Sequence, residues 1–410
     1  MSRTVVTGIG VIAPTGLTLP EHWSATLRGE NRIDRISLFD PERYPSRLAG
    51  EVRGFVPAER VPGRLVPQTD RMTRFAIAAA DGAFADAAVD TTGLSPLEMG
   101  VVTANSSGGF DFGQRELQNL HANSPKHVSA YMSFAWFYAV NSGQLSIRHN
   151  LRGPAGVLVA EQAGGLAAVA QARRRVRAGT RVVLTGGVDS PLCPYGLAAL
   201  MAGGRLSTRD DPRTAYLPFD ADAAGQVPGE GGALLVVEEA EAARARGARV
   251  YGQIAGYGAT FDPRPGSGRP PNLRRAIEVA LDDAEAAPAD IGVVFADAAA
   301  VPELDRVEAD ALAAVFGPRG VPVTAPKAGT GRLSSGAAPL DLVGALLTLR
   351  EGSIPPTANT TVDPGYGIDL VVGAPRPVEA TAALVVARGV GGFNTAMVVR
   401  TESRTGRNPR

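Results

Sequence analysis

Short runs of β-branched and small apolar residues alternate with longer Ala-rich stretches of helical period along nearly the whole chain. The runs Thr4–Thr7, Gly100–Thr103, Val157–Val159, Val182–Leu184, Ala233–Val237, Val293–Ala296, Val321–Val323, Ala383–Ala387 and Ala396–Arg400 predict strands. The stretches Asp70–Ala88, Gly165–Ala178, Leu273–Ala284, Glu303–Phe316 and Leu340–Glu351 predict helices. Such alternation points to a layered α/β fold. Twice a strand runs through a small-residue turn into a helix, in "VLVAEQAGGLAA" and "VPVTAPKAGTGRLSSGAAPLDLVGALL". This echo implies two similar halves joined near residues 245–260, here taken as 1–250 and 251–402. The segment "TFDPRPGSGRPPNL", residues 260–273, is Pro/Gly-rich and reads as a surface loop or a connection between the halves. The polar tail 403–410 reads as disordered.

Composition narrows the function more than the fold. The 410 residues can bury a large core, and 41 basic residues balance 41 acidic ones, which argues against a nucleic-acid partner. The opening "MSRTVVTGIGVIAPTG" goes straight into a strand and turn, and no apolar run approaches membrane-spanning length, so a cytoplasmic protein is expected. The lone Cys193 excludes an internal disulfide and suits that compartment. It lies in the Pro-flanked "SPLCPYG" and reads as a small structural hydrophobe in a loop. The histidines are His22, His121, His127 and His149, so any base from the second half must be another residue type. No pair of them has metal-site context, and neither metal nor cofactor is expected.

The stretch Gly156–Gly179 raises the chemical question. A strand meets a helix there at the kind of sharp turn that presents a Ser or Cys nucleophile beside helix N–H groups, yet its apex reads Glu161-Gln162. Segments spread over residues 3–400 resemble the β-ketoacyl synthases, condensing enzymes of the thiolase fold. They are "VVTGIGVIAPTG", "LPFDADAAGQVPGEGGALLVVE" (Leu217–Glu238), "APKAGTGRLSSGAAPLD" (Ala325–Asp341) and "GVGGFNTAMVV" (Gly389–Val399). "VAEQAGG" and "FADAAAVPELD" resemble the chain-length factors, or ketosynthase β subunits, of type II aromatic polyketide synthases. The resemblance implies a five-layer α-β-α-β-α body. It also implies that an active relative needs a Cys and two histidines where this chain has Gln162, Asp297 and Arg332. Supporting residues Asp305, Glu308 and Lys327 are retained. Gln has no nucleophilic atom and cannot form a thioester.

Two readings of this replacement stand side by side. Gln162 is a filler in a silent site, or it serves a malonyl decarboxylase that supplies an acetyl starter. Asp297 and Arg332 are expected to meet in an ion pair, the alternative being two separate surface charges. The resemblance further implies a heterodimer with a Cys-bearing ketosynthase α subunit, an acyl carrier protein as second partner, and a polyketide tunnel at the shared interface. Its lining falls on Phe110, Gly113 and Leu117, which share one face if "GGFDFGQRELQNL" is helical. The small Gly113 and Leu117 imply a long product, while plain helix packing would also suit them. The aromatic segment with Phe134, Trp136, Phe137 and Tyr138 is expected at the subunit interface, a monomer core being the alternative. The cluster "ARRRVRAGTR" (Ala172–Arg181) reads as a solvated helix face, with Arg173, Arg174 and Arg177 together, or as a carrier-protein contact.

Overall fold

The computed structural model describes residues 2–264 and 266–402, so the tail 403–410 lies outside the described residues. Eleven strands share one sheet. In chain order they are β1 Thr4–Ile12, β2 Met99–Ala104, β3 Ala155–Leu158, β4 Val182–Asp189, β5 Gly231–Glu239, β6 Gly252–Phe261, β7 Ile291–Phe295, β8 Pro322–Thr324, β9 Asp369–Leu370, β10 Ala382–Gly389 and β11 Phe393–Arg400. The helices that build the core and the site are α1 Arg71–Ala87, α2 Phe110–Ala122, α3 Val140–His149, α4 Glu161–Arg177, α5 Pro194–Met201, α6 Leu273–Asp283, α7 Pro302–Phe316 and α8 Ala337–Glu351.

The sheet order is β9-β8-β7-β10-β11-β6-β1-β5-β4-β2-β3, and it carries a hidden twofold. Outward from β1 the pairings run antiparallel, antiparallel, parallel, parallel. Outward from β6 they follow the same series. The two half-sheets are joined only where Val5 and Val6 of β1 face Gln253 and Gly252 of β6. Helices α4 and α8 lie between the half-sheets and touch each other and strands of both. Outside them, α1 covers β1 and β5 while α6 covers β6 and β11. The result is the five-layer thiolase-like arrangement.

Burial explains each layer. Every residue of α8 from Ala337 to Leu349 is buried, as an apolar helix at the centre must be. Its Leu342 and Leu346 join Leu166 and Val169 of α4, Val183 and Leu235 of the first half-sheet and Val385 of the second in one apolar cluster. The echo noted in the sequence is therefore the pair of routes into these central helices, β3 to α4 and β8 to α8.

A second echo escaped the pattern reading because glycine hides strands. Strand β6 was missed; its "AGYG" weakens any strand signal. Yet it mirrors "TGIG" in β1, and both glycine pairs let a helix backbone sit directly on the strand. A Cβ on Gly10 would lie 1.8 Å from the Ala79 carbonyl oxygen of α1, and one on Gly258 2.0 Å from that of Ala276 in α6. Helix α4 also starts earlier than the expected Gly165. Gly165 is not a turn residue; a Cβ there would lie 2.3 Å from Pro339 Cδ, so it lets α8 cross close.

Cys193 is a buried structural residue, as expected, while the reading of Arg173 is corrected. Cys193 caps the N-terminus of α5, its thiol accepting the Gly196 N–H at 3.4 Å, and burial pushes that thiol up to about 11. Arg173 does not belong to a solvated face. It is buried, pairs with Asp283 of α6 and donates to the Ala255 carbonyl, tying the central helix to the outer layer. Arg174 and Arg175 are exposed.

Replacing Gly10 or Gly258 by alanine should cost each half about 3 kcal/mol through overpacking. Gly63→Ala, whose Cβ would meet nothing within 4 Å, serves as the neutral control. Denaturant unfolding of the three variants measures this, and equal stability of all three would contradict the packing argument.

Candidate functional site

Strand β3 ends at Leu158, and three residues later Glu161 takes a left-handed conformation with φ +47° to launch α4. Gln162 follows in the first turn of the helix, 1 % exposed. The elbow is braced from below. The buried Asp189 carboxylate accepts N–H bonds from Ser106, Ser107 and Ser335, and the Ser335 hydroxyl donates to the Glu161 carbonyl at 2.9 Å. Backbone strain gathers here. Glu161, Phe219, Ala298, Ala300 and Ser334 all have positive φ without being glycine. A scaffold that over-determines its loops can hold such strain, and acyl-transfer sites commonly store it.

Loop 297–300 carries Asp297. Helix α7 holds it with two carboxylates: Glu308 accepts the Asp297 and Ala298 N–H groups at 2.7 and 2.8 Å, and Asp305 accepts those of Ala300 and Phe219 at 3.0 and 2.8 Å. Burial pushes Asp305 up to about 7 and raises Glu308, with the Asp297 charge adding to the latter. Lys327 pairs with Asp341 at 2.6 Å and donates to the Ala296 carbonyl, anchoring the base of the same loop.

Asp297 and Arg332 meet as expected from their positions. Both Arg332 terminal nitrogens lie 3.3 Å from the Asp297 carboxylate, and Nη1 also donates to the Asp297 carbonyl at 3.0 Å. Both residues are buried. Burial alone would lower the guanidinium; the Asp297 carboxylate beside it more than reverses this and holds it above its ordinary range. Gln162 Nε2 donates to Asp297 Oδ1 at 3.3 Å, and the Arg388 N–H donates to the same oxygen at 2.9 Å. Gln162, Asp297 and Arg332 thus form one hydrogen-bonded set with the end of β10, where the Gly-rich turn begins.

That turn is fixed a second time. The Val390 N–H donates to the Glu161 carboxyl group at 3.1 Å, so the elbow side chain engages a backbone donor of this turn. Glu161 is itself raised by burial, against the lowering influence of Arg332. A cavity of about 70 Å³ remains, edged by Glu161, Arg205, Asp262, Asp297, Arg332 and Arg388, and Gln162 does not line it. A buried carboxylate facing the elbow would repel a thiolate or enolate. His22 does not edge this cavity; it is buried against Thr15 and Thr26, borders a separate small cavity with Lys327 and Asp341, and burial lowers it to about 4.

The remaining expected residues form a separate region. Phe110 opens α2 and stacks edge-on against Tyr195 at 5.0 Å. A Cβ on Gly113 would reach only ordinary contact, 3.5 Å from Trp136 Cβ, so no close helix approach demands glycine there. Leu117 is 44 % exposed. Trp136, Phe137 and Tyr138 are exposed as well, which removes the monomer-core alternative. Phe134, Phe137, Val140 and Ile147 edge an apolar groove of about 340 Å³. Large exposed rings side by side are the mark of an association surface. Sequence reasoning missed Glu161 as a site residue, although its place at the elbow apex was in plain view.

Gln162→Cys should stay unacylated, because the new thiol faces Asp297 instead of an imidazole. Mass spectrometry after incubation with an acyl or malonyl thioester checks this, and buried Cys193 gives little background. The raised Asp305 keeps a proton in the folded chain that the unfolded chain has released. Its stabilisation is complete below the ordinary carboxylate range and is lost as pH rises through about 7. The stability of the native chain relative to Asp305→Asn should therefore fall by on the order of 2 kcal/mol between about pH 5 and about pH 8. A flat difference in denaturant midpoints would contradict this origin.

Comparison with known proteins agrees with the geometry. Residues 1–243 match the β-ketoacyl synthase N-terminal domain and residues 251–361 its C-terminal domain. The actinorhodin polyketide putative beta-ketoacyl synthase 2 of Streptomyces coelicolor is 57 % identical over 97 % of this chain and 98 % of its own length. The tetracenomycin polyketide synthase ketoacyl synthase beta subunit of Streptomyces glaucescens is 57 % identical with the same coverages. Among solved structures, a type II polyketide acyl-carrier protein in complex with its ketosynthase bound to the hexaketide superimposes with TM-score 0.88 at 25 % identity, covering 98 % of this chain and 100 % of that one. The two domain matches, which together span most of the chain, and full-length relatives at 57 % identity place the chain in the β-ketoacyl synthase family.

Proposed function

We propose that this chain is the non-catalytic, chain-length-determining subunit of an iterative polyketide ketosynthase. It pairs with a Cys-bearing ketosynthase α subunit that extends a chain from malonyl units delivered by an acyl carrier protein. The observation that carries the reading is the closed set of Gln162, Asp297 and Arg332 at an otherwise complete elbow. Removing a nucleophile alone leaves an empty pocket; here charge and hydrogen bonds fill the place of all three reactive groups. The names of the relatives, one of them a β subunit, support the pairing.

A subunit without chemistry acts through shape. The exposed aromatic segment 131–138 and the groove beside α3 give it a surface to bury against a partner. Helix α2 stands next to that segment, with Gly113 facing Trp136. A growing chain entering between the subunits would meet the face of Phe110, Gly113 and Leu117. Close packing makes such a wall a ruler, since a ring placed there excludes its own volume of substrate. The absence of a side chain at Gly113 leaves room for a long product. The decarboxylase reading gains little from the geometry, because the Gln162 Nε2 donates to Asp297 and Gln162 does not line the cavity, although its buried Oε1 has no partner among the described residues.

Gly113→Phe in the reconstituted pair should shorten the main product by about one or two two-carbon units, the length a buried ring displaces. Mass analysis of the products reads this directly. Unchanged length in a fully active pair would sink the assignment of this face.

A further inference from the structure

The N-terminus of α2 is held by a residue forty positions away. Its own cap residue, Gly109, has no side chain to offer, and none could be added. A Cβ there would lie 2.1 Å from the Ala135 carbonyl oxygen and 3.0 Å from Asp70 Cβ. The Phe110 N–H turns back to the Gly108 carbonyl. The Phe112 N–H instead donates to Asp70 Oδ2 at 2.8 Å, while Oδ1 of the same carboxylate accepts the Met72 N–H at 2.8 Å as the cap of α1. Asp70 is 1 % exposed. Among the described residues it is the only side-chain acceptor in the first turn of α2. One buried anion thus serves two helix N-termini, each with unpaired N–H groups and a favourable dipole.

The coupling has a direction. Helix α1 is welded to the sheet through the glycines of β1, and the next residue, Arg71, pairs with the buried Glu230 at 2.7 Å. Helix α2 has few buried residues, Phe112, Gly113 and Glu116. The rigid element positions the looser one, and the looser one carries Phe110 and Gly113 on its first turn and a half. We propose that Asp70 is a positioning residue for product length: it sets where the wall formed by α2 stands, without touching the polyketide. This rests on the length-determining reading above.

The test separates the two ends of the carboxylate. Asp70→Ser keeps a cap for α1 but is too short to reach Phe112, and Asp70→Asn keeps one acceptor oxygen while its amide opposes the second N–H. Each variant is purified in complex with the α subunit and supplied with carrier protein and malonyl thioester. Total malonyl consumption and the mass distribution of products are read together. The ratio of shorter chains to the main product should rise by about threefold or more, at consumption close to that of the native pair, because a small displacement of a positioning wall is felt strongly in product choice. Hydrogen exchange at Phe112 should quicken in the same complexes. If either folded complex keeps the native product ratio while Gly113→Phe shortens the product, Asp70 has no positioning role. If Gly113→Phe also leaves the product unchanged, the length reading itself fails and this inference with it. Should Asp70→Ser not assemble, Asp70→Asn alone decides between these results.

Discussion

A buried ion pair organises the centre of this molecule. Asp297 and Arg332 come from different loops of the second half, and around them gather Gln162 from the first half and the Arg388 N–H from the end of β10. Taking two charges out of water is expensive, and such a pair persists only when its remaining donors and acceptors are satisfied. Here Asp297 has that support: two guanidinium nitrogens, one amide and one backbone N–H reach its carboxylate. The pair adds little to stability against a hydrophobic filling. What it does is fix four chain segments in one arrangement.

That arrangement explains why the surrounding machinery survives without chemistry to perform. The carboxylates of Asp305 and Glu308 still hold loop 297–300, Lys327 still binds Asp341, and Asp189 still gathers the serine N–H groups under the elbow. Each satisfies backbone donors or charges that would otherwise be buried and unpaired, so removal would unravel strained loops. Function then moves outward, from reacting atoms to walls. In the proposed function, helix α2 and the exposed aromatic segment are the walls that shape space for a chain carried by a partner subunit.

Much of this was legible in the sequence for physical reasons. Central elements such as β4, β5 and α8 are apolar enough to announce themselves, and their expected spans fall inside the observed ones. The Asp297–Arg332 contact was legible because positions that converge in a family leave opposite charges nowhere else to go. What stayed hidden depends on three-dimensional neighbours. Strand β6 is rich in glycine because a helix lies on it, and a pattern reading sees only weak strand propensity. Gly165 looks like a turn and is a crossing point. Arg173 sits in a run of arginines but turns inward to Asp283, a partner 110 residues away. Asp70 resembles an ordinary helix cap, and nothing in its own segment shows that it caps a second helix as well.

The central claim is that the fold of a condensing enzyme persists here with its reactive groups replaced by an inert, hydrogen-bonded set. Labelled malonyl-carrier protein incubated with the isolated chain, with released carbon dioxide counted, tests it most directly. The account predicts release no faster than in a protein-free control, and release only when the α subunit is added. Steady carbon dioxide production by the chain on its own would contradict it.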